Sequence, residues 1–173
     1  MTDRKHIDKS ARTTDRQYPV RRNLRLPSVE YRQGYIFFIT IGVHQRYQWF
    51  KAHPDLAQAC ITLLRDLATN RKSTLFAYCI MPDHIHILIE DLDIVEYVRL
   101  FKGTMTPLAR KKDPTRQLWQ RSFYDHAVRQ EESVYNIALY IWENPVRARI
   151  VDSPKLYTWS GSEVWPDFRT FYE

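Results

Sequence analysis

The segment Met81–Glu90, which reads MPDHIHILIE, places two histidines one residue apart in an otherwise apolar run. Its β-branched residues favour a strand, and a strand sends alternate side chains to opposite faces. His84 and His86 are therefore expected on one face, about 7 Å apart along the strand, while the isoleucines face a core. Two imidazoles at this spacing can bind one divalent cation, although each is also compatible with an ordinary polar residue on a half-exposed strand. A third protein ligand would be needed, with positions left for water and a phosphate oxygen.

The rest of the chain carries strand and helix signals in a definite order. Strands are predicted where aromatic and β-branched residues run together, and helices where apolar residues recur every three or four positions. In chain order they are a strand over 35–41, a helix from Pro54 to about 71, strands over 75–80 and 84–90, a helix from the N-cap Asp93 to about 112, a strand over 123–128 and a helix over 131–144. Pro107 leaves open whether the second helix is kinked or ends early. The order predicts an α+β ferredoxin-like sandwich, an antiparallel sheet of four to five strands with helices packed on it. The histidine pair would then lie on a central strand.

Composition narrows the class of protein. The chain has 173 residues, 44% of them hydrophobic and 14% aromatic. We expect one folded domain over 31–173 behind a basic, flexible N-terminal arm over 1–30.

No apolar run approaches the ~18 residues of a membrane span and no secretory segment follows the polar start, so a cytoplasmic protein is expected. Cys60 and Cys79 lack Cys-x-x-Cys spacing and are expected to be reduced core residues.

An excess of basic residues indicates a polyanionic partner. Lys and Arg number 26 against 20 Asp and Glu, a net charge of +6, and they concentrate over 1–32 and 99–129 beside aromatic residues. Such stretches attract nucleic acid, with a solvated basic face as the plainer alternative. The candidate phosphate contacts are Arg99, Lys102, Arg110, Lys111, Lys112, Arg121 and Arg129. The candidates for stacking on unpaired bases are Trp119, Phe123 and Tyr124, with packing as the equal alternative for each.

The helix predicted over 131–144 offers a nucleophile and a further ligand. It is expected to end at Asn144, because Pro145 disfavours helical conformation in the residue before it. Tyr140 and Asn144 are four residues apart, so they lie on one helix face. The Asn144 carbonyl oxygen could complete a metal site, and the Tyr140 phenol could attack a phosphate polarised there. The alternative for Tyr140 is a core or interface tyrosine, since the chain has 11 tyrosines. With the histidine pair, this helix predicts a metal-assisted enzyme that acts on a phosphodiester.

Three blocks of the chain resemble the REP-associated tyrosine transposases, which belong to the HUH superfamily of single-strand transposases. The blocks are PDHIH over 82–86, LWQRSFYDH over 118–126 and YIWENPVR over 140–147. The resemblance implies that His84, His86 and Asn144 hold a divalent cation, Mg²⁺ or Mn²⁺, and that Tyr140 is the nucleophile. Imidazole ligands generally favour Zn²⁺ and its neighbours, so the identity of the metal rests on the resemblance.

The resemblance also implies the reaction and the partner. Such enzymes cleave and rejoin single-stranded DNA at or near repeated palindromic hairpins through a 5′-phosphotyrosine intermediate. Related transposases include dimers that exchange the tyrosine helix, whereas the REP-associated members resemble monomers. A monomer is therefore favoured, in the cytoplasm at the nucleoid and without a membrane partner. Arg149 stands where such proteins often carry glycine, and Asp125 and His126 suit a structural role at least as well as a catalytic one.

Two other functions stay open from the sequence. Ferredoxin-like sheets that carry aromatic and basic residues also bind single-stranded nucleic acid without catalysis, and would need neither metal nor histidines. A replication-initiator or relaxase-type nuclease shares the histidine pair. The Tyr-x-x-x-Asn-Pro spacing favours the transposase branch over this nuclease.

Overall fold

The computed structural model describes residues 35–129 and 131–172, so the arm predicted over 1–30 lies outside the described residues. The strands are β1 Ile36–Gly42, β2 Thr74–Met81, β3 His84–Glu90, β4 Tyr124–Ala127 and β5 Ser160–Gly161. The helices are α1 Trp49–Ala52, α2 Pro54–Arg71, α3 Ile94–Lys112, α4 Val134–Trp142 and α5 Asn144–Arg147. Short 3₁₀ turns cover His44–Arg46, Pro154–Leu156 and Phe168–Tyr172. Within this part of the chain, no helix has both the length and the apolar character that crossing a membrane requires.

The described strands form one antiparallel sheet in the order β4-β1-β3-β2-β5. With helices packed on it, this is the α+β sandwich predicted from the element order, and β3 is central as expected. β5 was not predicted, because two residues are too few to show a period. In the register of β1 with β3, Thr40 lies opposite His86 and Gly42 lies opposite His84.

A two-residue turn brings the histidines to the end of the sheet where β1 also ends. Met81 pairs with His84, so Pro82 and Asp83 form the turn between β2 and β3. Proline suits the first central position of such a turn because its ring fixes φ. The Asp83 carbonyl accepts a hydrogen bond from the Val43 N–H at 2.9 Å, which ties the turn to the residue after β1.

Both faces of the sheet are covered by apolar side chains. On one face the isoleucines of β3 are fully buried against α2 and α3, and each contributes about 1.5–3 kcal/mol. On the other face Cys79 and Leu88 pack with Ile141 and Trp142 of α4. The histidines alternate with the isoleucines, so they lie on this second face, which we call the α4 face. The helix that carries Tyr140 therefore covers the histidine side of the sheet.

One helix is shorter than predicted, and another keeps its predicted length despite an internal proline. The helix predicted over 131–144 begins only at Val134, because the Ser133 side chain accepts a hydrogen bond from the Asn136 N–H at 3.2 Å and caps it there. It ends at Trp142, and a new short helix follows. Pro107 neither ends nor interrupts α3. Its position is exposed, where water can bind the carbonyl that proline leaves without a donor.

The C-terminal segment packs back onto the domain through its aromatic residues. The ring of Phe168 stacks on that of Trp142 with 4.4 Å between centroids. The Trp142 indole N–H donates to the Gly161 carbonyl at 3.1 Å, which joins α4 to β5. Cys60 and Cys79 are buried free thiols, in agreement with the expectation from their spacing.

Candidate active site

His84 and His86 direct their Nε2 atoms at each other, 3.0 Å apart, on the α4 face of β3. His86 is 8% exposed, and burial lowers its pKa to about 3, so its ring is neutral at pH 7. The Nδ1 of His84 lies 2.6 Å from an oxygen of Asp83, and this hydrogen bond holds the pKa of that carboxyl below its usual value. The Nδ1 of His86 lies 3.0 Å from the Thr40 hydroxyl. Each ring thus has one nitrogen oriented by a neighbour.

These contacts determine which nitrogen of each ring carries the proton. An ionised Asp83 can only accept, so in the neutral form of the pair His84 donates through Nδ1 and has its lone pair on Nε2. His86 then donates through Nε2 to His84, and its Nδ1 accepts from the Thr40 hydroxyl. The hydrogen bonds therefore run in one direction, from Thr40 through both imidazoles to Asp83.

The donor chemistry of the pair fits a divalent cation. Two nitrogen ligands about 2.1 Å from one ion and at right angles to each other are about 3.0 Å apart. The Nε2 atoms have this separation. A carboxylate and a hydroxyl at the outer nitrogens are the kind of partners that orient histidine ligands in metal sites. In residues 35–129 and 131–172 no group of three His, Cys, Asp or Glu side chains could hold a metal, so a third protein ligand would have to be of another type.

Asn144 has the side chain for that third position. Its Nδ2 donates to the Tyr140 carbonyl at 3.2 Å and to the Ile141 carbonyl at 3.3 Å. Pro145 stands where the next helical N–H would be and has none, so the Asn144 amide takes its place at the Ile141 carbonyl. The amide orientation is thereby settled, with Nδ2 toward the helix end. Among the described residues no hydrogen bond reaches Oδ1, so this oxygen is the available ligand atom.

Tyr140 and the histidine pair share two neighbours. Tyr140 is 48% exposed, and its ring meets the edge of Phe38 at 6.1 Å between centroids. Phe38 in turn stacks on His86 at 5.5 Å. The guanidinium carbon of Arg147 lies 3.9 Å from the Tyr140 ring centroid, and Arg147 also donates to the Tyr140 carbonyl and, at 3.1 Å, to Glu143. Besides burial and the neighbouring histidine, the charge of Arg147 lowers the pKa of His86.

Phe38, Thr40 and Arg147 were not predicted as site residues. Phe38 and Thr40 occupy alternate positions of β1, and only the pairing of β1 with β3 brings them beside His86. Arg147 could have been identified from its position in the third sequence block. It follows Tyr140 by seven residues, which is two helical turns and places both on one side of a helical segment.

The basic residues predicted to contact DNA fall into separate groups. A groove of about 530 Å³ between α3 and the segment 114–121 has only basic residues among its charged lining, and we call it the basic groove. These residues are Lys102, Arg110, Arg116 and Arg121, of which Arg116 was not predicted. Arg99 instead pairs with Glu96 on α3 at 2.5 Å. Lys111 and Lys112 lie toward α2, where Lys112 pairs with Asp55 at 2.6 Å, and Arg129 is exposed after β4.

The three aromatic candidates differ in exposure. Trp119 is 4% exposed and packs its ring against Phe50 and Phe101 at 6.0 and 5.8 Å, so the packing alternative holds for it. Phe123 is half-buried against the core. Tyr124 is 56% exposed and pairs with Thr40 across β4 and β1, and of the three it presents the most ring surface to solvent.

Two proteins of known sequence are similar to most of this chain. An uncharacterized protein of Haemophilus influenzae is 28% identical over 163 residues, which cover 73% of this chain and 88% of that protein. A second Haemophilus influenzae protein, provisionally named a REP-associated tyrosine transposase, is 24% identical over 158 residues, covering 80% of this chain and 89% of its own length. The resemblance that the three sequence blocks carry therefore extends over most of the described chain.

A solved structure and a family match complete the comparison. The structure of a REP-associated tyrosine transposase bound to a REP hairpin has the same fold, with a TM-score of 0.61 at 21% identity, covering 73% of this chain and 76% of that one. The family described as IS200-like transposases matches residues 31–144, a segment that includes the histidine pair, Tyr140 and Asn144. Members of such a family are DNA-processing enzymes. This chain belongs to the family of IS200-like transposases.

Proposed function

We propose that this protein cleaves and rejoins single-stranded DNA at or beside palindromic hairpins, with Tyr140 as the nucleophile. One observation carries the proposal: Tyr140 and the histidine pair share two neighbours. The Phe38 ring packs against the rings of both Tyr140 and His86. Arg147 lies over the Tyr140 ring, and its charge lowers the pKa of His86. The hairpin substrate is supported by the related transposase whose structure contains a REP hairpin.

In the proposed reaction the Tyr140 hydroxyl attacks the phosphorus of a DNA phosphodiester. The bond between Oη and phosphorus forms while the bond from phosphorus to O3′ breaks. The phenol loses its proton and the leaving O3′ gains one, which yields a 5′-phosphotyrosine and a free 3′-hydroxyl. Attack by a 3′-hydroxyl on the phosphotyrosine is the reverse step, and it rejoins DNA without an external energy source.

Charged and ligating residues have separate proposed tasks in this reaction. Arg147 lies over the Tyr140 ring, where its positive charge stabilises the negative charge of the phenolate and of the phosphate in the transition state. His84, His86 and Asn144 are the proposed ligands of Mg²⁺ or Mn²⁺. Bound there, the cation would polarise a phosphate oxygen and neutralise developing charge.

The DNA is proposed to approach through the basic groove. Lys102, Arg110, Arg116 and Arg121 would contact phosphates, and the exposed ring of Tyr124 would stack on an unpaired base. Arg99, Lys111, Lys112 and Arg129 remain predicted contacts on other surfaces. Because α4 packs on the sheet of its own chain, we infer a monomer. Its DNA substrate would place it at the nucleoid in the cytoplasm.

A covalent adduct tests the proposal. Purified protein is incubated with Mn²⁺ and palindromic hairpin oligonucleotides drawn from the DNA next to its gene, with single-stranded extensions on both sides. We expect a protein–DNA band that survives denaturing electrophoresis, that Tyr140→Phe abolishes and that a chelator prevents. Tyr135→Phe is the matched control, because Tyr135 is an exposed tyrosine of the same helix that packs against Trp165 and Phe171 instead.

Two outcomes would contradict the proposal in different ways. An adduct formed by Tyr140→Phe would show that another residue is the nucleophile. A wild-type protein that binds these hairpins but never forms the adduct would be a non-catalytic binding module.

A further inference from the structure

The carboxamide of Gln120 lies directly over Gly42. A β-carbon built on Gly42 would stand 2.8 Å from both Cδ and Oε1 of Gln120 and 3.2 Å from Nε2. Gly42 follows Phe38 and Thr40 at alternate positions of β1, so its missing side chain would point to the α4 face. Gly42 pairs with His84, and paired residues of antiparallel strands have β-carbons about 5 Å apart. The Gln120 carboxamide therefore lies over the β1 residue that pairs with His84.

The backbone of Gln120 is held on two sides, so this placement is not that of a loose surface side chain. Its N–H donates to the Gly42 carbonyl at 2.9 Å, and its carbonyl accepts from Lys102 Nζ at 2.7 Å. The preceding residue, Trp119, pairs with Val43 and is anchored in the core. Among the described residues, however, no hydrogen bond reaches the Gln120 carboxamide itself. This half-buried amide therefore has a fixed backbone and N–H donors that are available to a ligand.

Gln120 also belongs to the lining of the basic groove, together with Lys102, Arg110 and Arg121. It therefore lines the basic groove and also lies over the β1 residue that pairs with His84.

We propose that Gln120 is a substrate-positioning residue whose amide N–H donates to a backbone phosphate of the single strand next to the cleaved bond. This rests on the proposed DNA-cleaving function and adds a specific contact to it. The contact joins groove-bound DNA to the phosphodiester at the active site. Gly42 is required beside it, because a side chain at this position would occupy the space of the amide.

Binding measurements with paired variants test this contact. In a Tyr140→Phe parent, which leaves DNA intact, and with a chelator present, affinity is measured for a hairpin with single-stranded extensions and for the same hairpin without them. Loss of one hydrogen bond predicts that Gln120→Ala weakens binding of the extended hairpin by about three- to tenfold. Binding of the bare hairpin stays unchanged. Gln120→Glu weakens the extended hairpin further, because a carboxylate repels phosphate.

Gly42→Ala provides an independent test, because it displaces the amide without removing it. Gly42→Ala alone reproduces the loss seen with Gln120→Ala, and the double variant binds no worse than either single one. Losses that multiply in the double variant would overturn the proposal, as would wild-type affinity of both Gln120 variants. A loss confined to one of two extension sequences would overturn the phosphate assignment, since backbone contacts are independent of sequence.

The adduct assay separates failure of this contact from failure of the proposed function. If wild-type protein forms the adduct while the Gln120 variants bind as tightly as the parent, only the contact is wrong. If the adduct never forms but the Gln120 variants lose affinity for extended DNA, the contact stands and the cleavage function is wrong.

Discussion

The outer nitrogens of the two histidines have different partners, and this difference matters for metal binding. His84 donates to Asp83 through Nδ1, so its Nε2 already carries a lone pair rather than a proton. His86 uses its Nε2–H to bond His84, and must move that proton to Nδ1 before both Nε2 atoms can bind one cation. The Thr40 hydroxyl is able to serve both states, because a hydroxyl donates to a bare Nδ1 and accepts from a protonated one.

Thr40→Val is predicted to weaken Mn²⁺ binding. Valine has a similar shape but cannot accept a hydrogen bond from His86 Nδ1–H, so the metal-binding tautomer loses its partner. Loss of such an outer partner typically lowers metal affinity by about 10- to 100-fold. Calorimetric titration of the protein with Mn²⁺ measures the change without relying on catalysis.

Thr40→Ser is the matched control for this substitution. It keeps the hydroxyl, so its Mn²⁺ affinity is expected to remain close to that of wild type. Equal affinities for the valine variant and wild type would show that Thr40 does not position His86.

At the scale of elements, the end of α4 depends on a side chain in place of a backbone donor. Pro145 cannot bind the Ile141 carbonyl, and the Asn144 amide does so instead. The same amide is then directed with Oδ1 away from the helix end. Asn144 thus caps the helix that carries Tyr140 and leaves its Oδ1 available as the proposed ligand oxygen.

Asn144→Asp is predicted to separate these two roles. Aspartate lacks the N–H donors, and its charge is unfavourable near the helix C-terminus, so the free energy of unfolding should fall by about 1 kcal/mol. Its carboxylate oxygen is still a good ligand for Mg²⁺ or Mn²⁺. We expect faster amide hydrogen exchange in the last turn of α4 with Mn²⁺ affinity retained.

The comparison variant is Asn144→Ala, which lacks both the donor and the ligand oxygen. It should lose stability to a similar extent and also lose Mn²⁺ affinity. If the aspartate and alanine variants lost Mn²⁺ affinity equally, Oδ1 would not be a metal ligand. Hydrogen exchange unchanged in both would show that the cap does not stabilise α4.

At the scale of the whole molecule, α4 lies on the sheet of the chain that carries it. Ile141 and Trp142 are fully buried against β2, β3 and the C-terminal segment, which holds Tyr140 on the same face as the histidine pair of its own chain. If α4 packed on the sheet of another subunit instead, the apolar surface beneath it in its own chain would be exposed to water. Only a reciprocal exchange of α4 between two subunits would cover this surface in both chains.

A mixing experiment distinguishes a site made by one chain from an exchanged one. Tyr140→Phe and the double variant His84→Ala/His86→Ala are each expected to form no adduct. Their mixture is expected to stay inactive, because no chain then holds both the tyrosine and the histidines. Light scattering should give the mass of one chain. Adduct formation by the mixture would instead demonstrate a dimer that exchanges the tyrosine helix.

The local periods of the sequence determined which candidate site residues share a face of a strand or a helix. The strand period of two places His84 and His86 on one face with the isoleucines on the other, and the helical period places Tyr140 four residues before Asn144. These relations involve only neighbours along the backbone, and so they are readable before folding. The element order then predicted the sandwich and its central β3.

Only the tertiary structure decided what surrounds these residues. Phe38 and Thr40 reach His86 through strand pairing, and Gln120 reaches Gly42 through a loop contact, in each case across tens of residues. No local period encodes such a register. Packing likewise placed Trp119 in the core and divided the basic residues between the basic groove and other surfaces. The histidine motif names candidate ligands from the sequence alone. The neighbours that orient those ligands come from distant segments, because they are selected by the three-dimensional burial of apolar surface rather than by spacing along the chain.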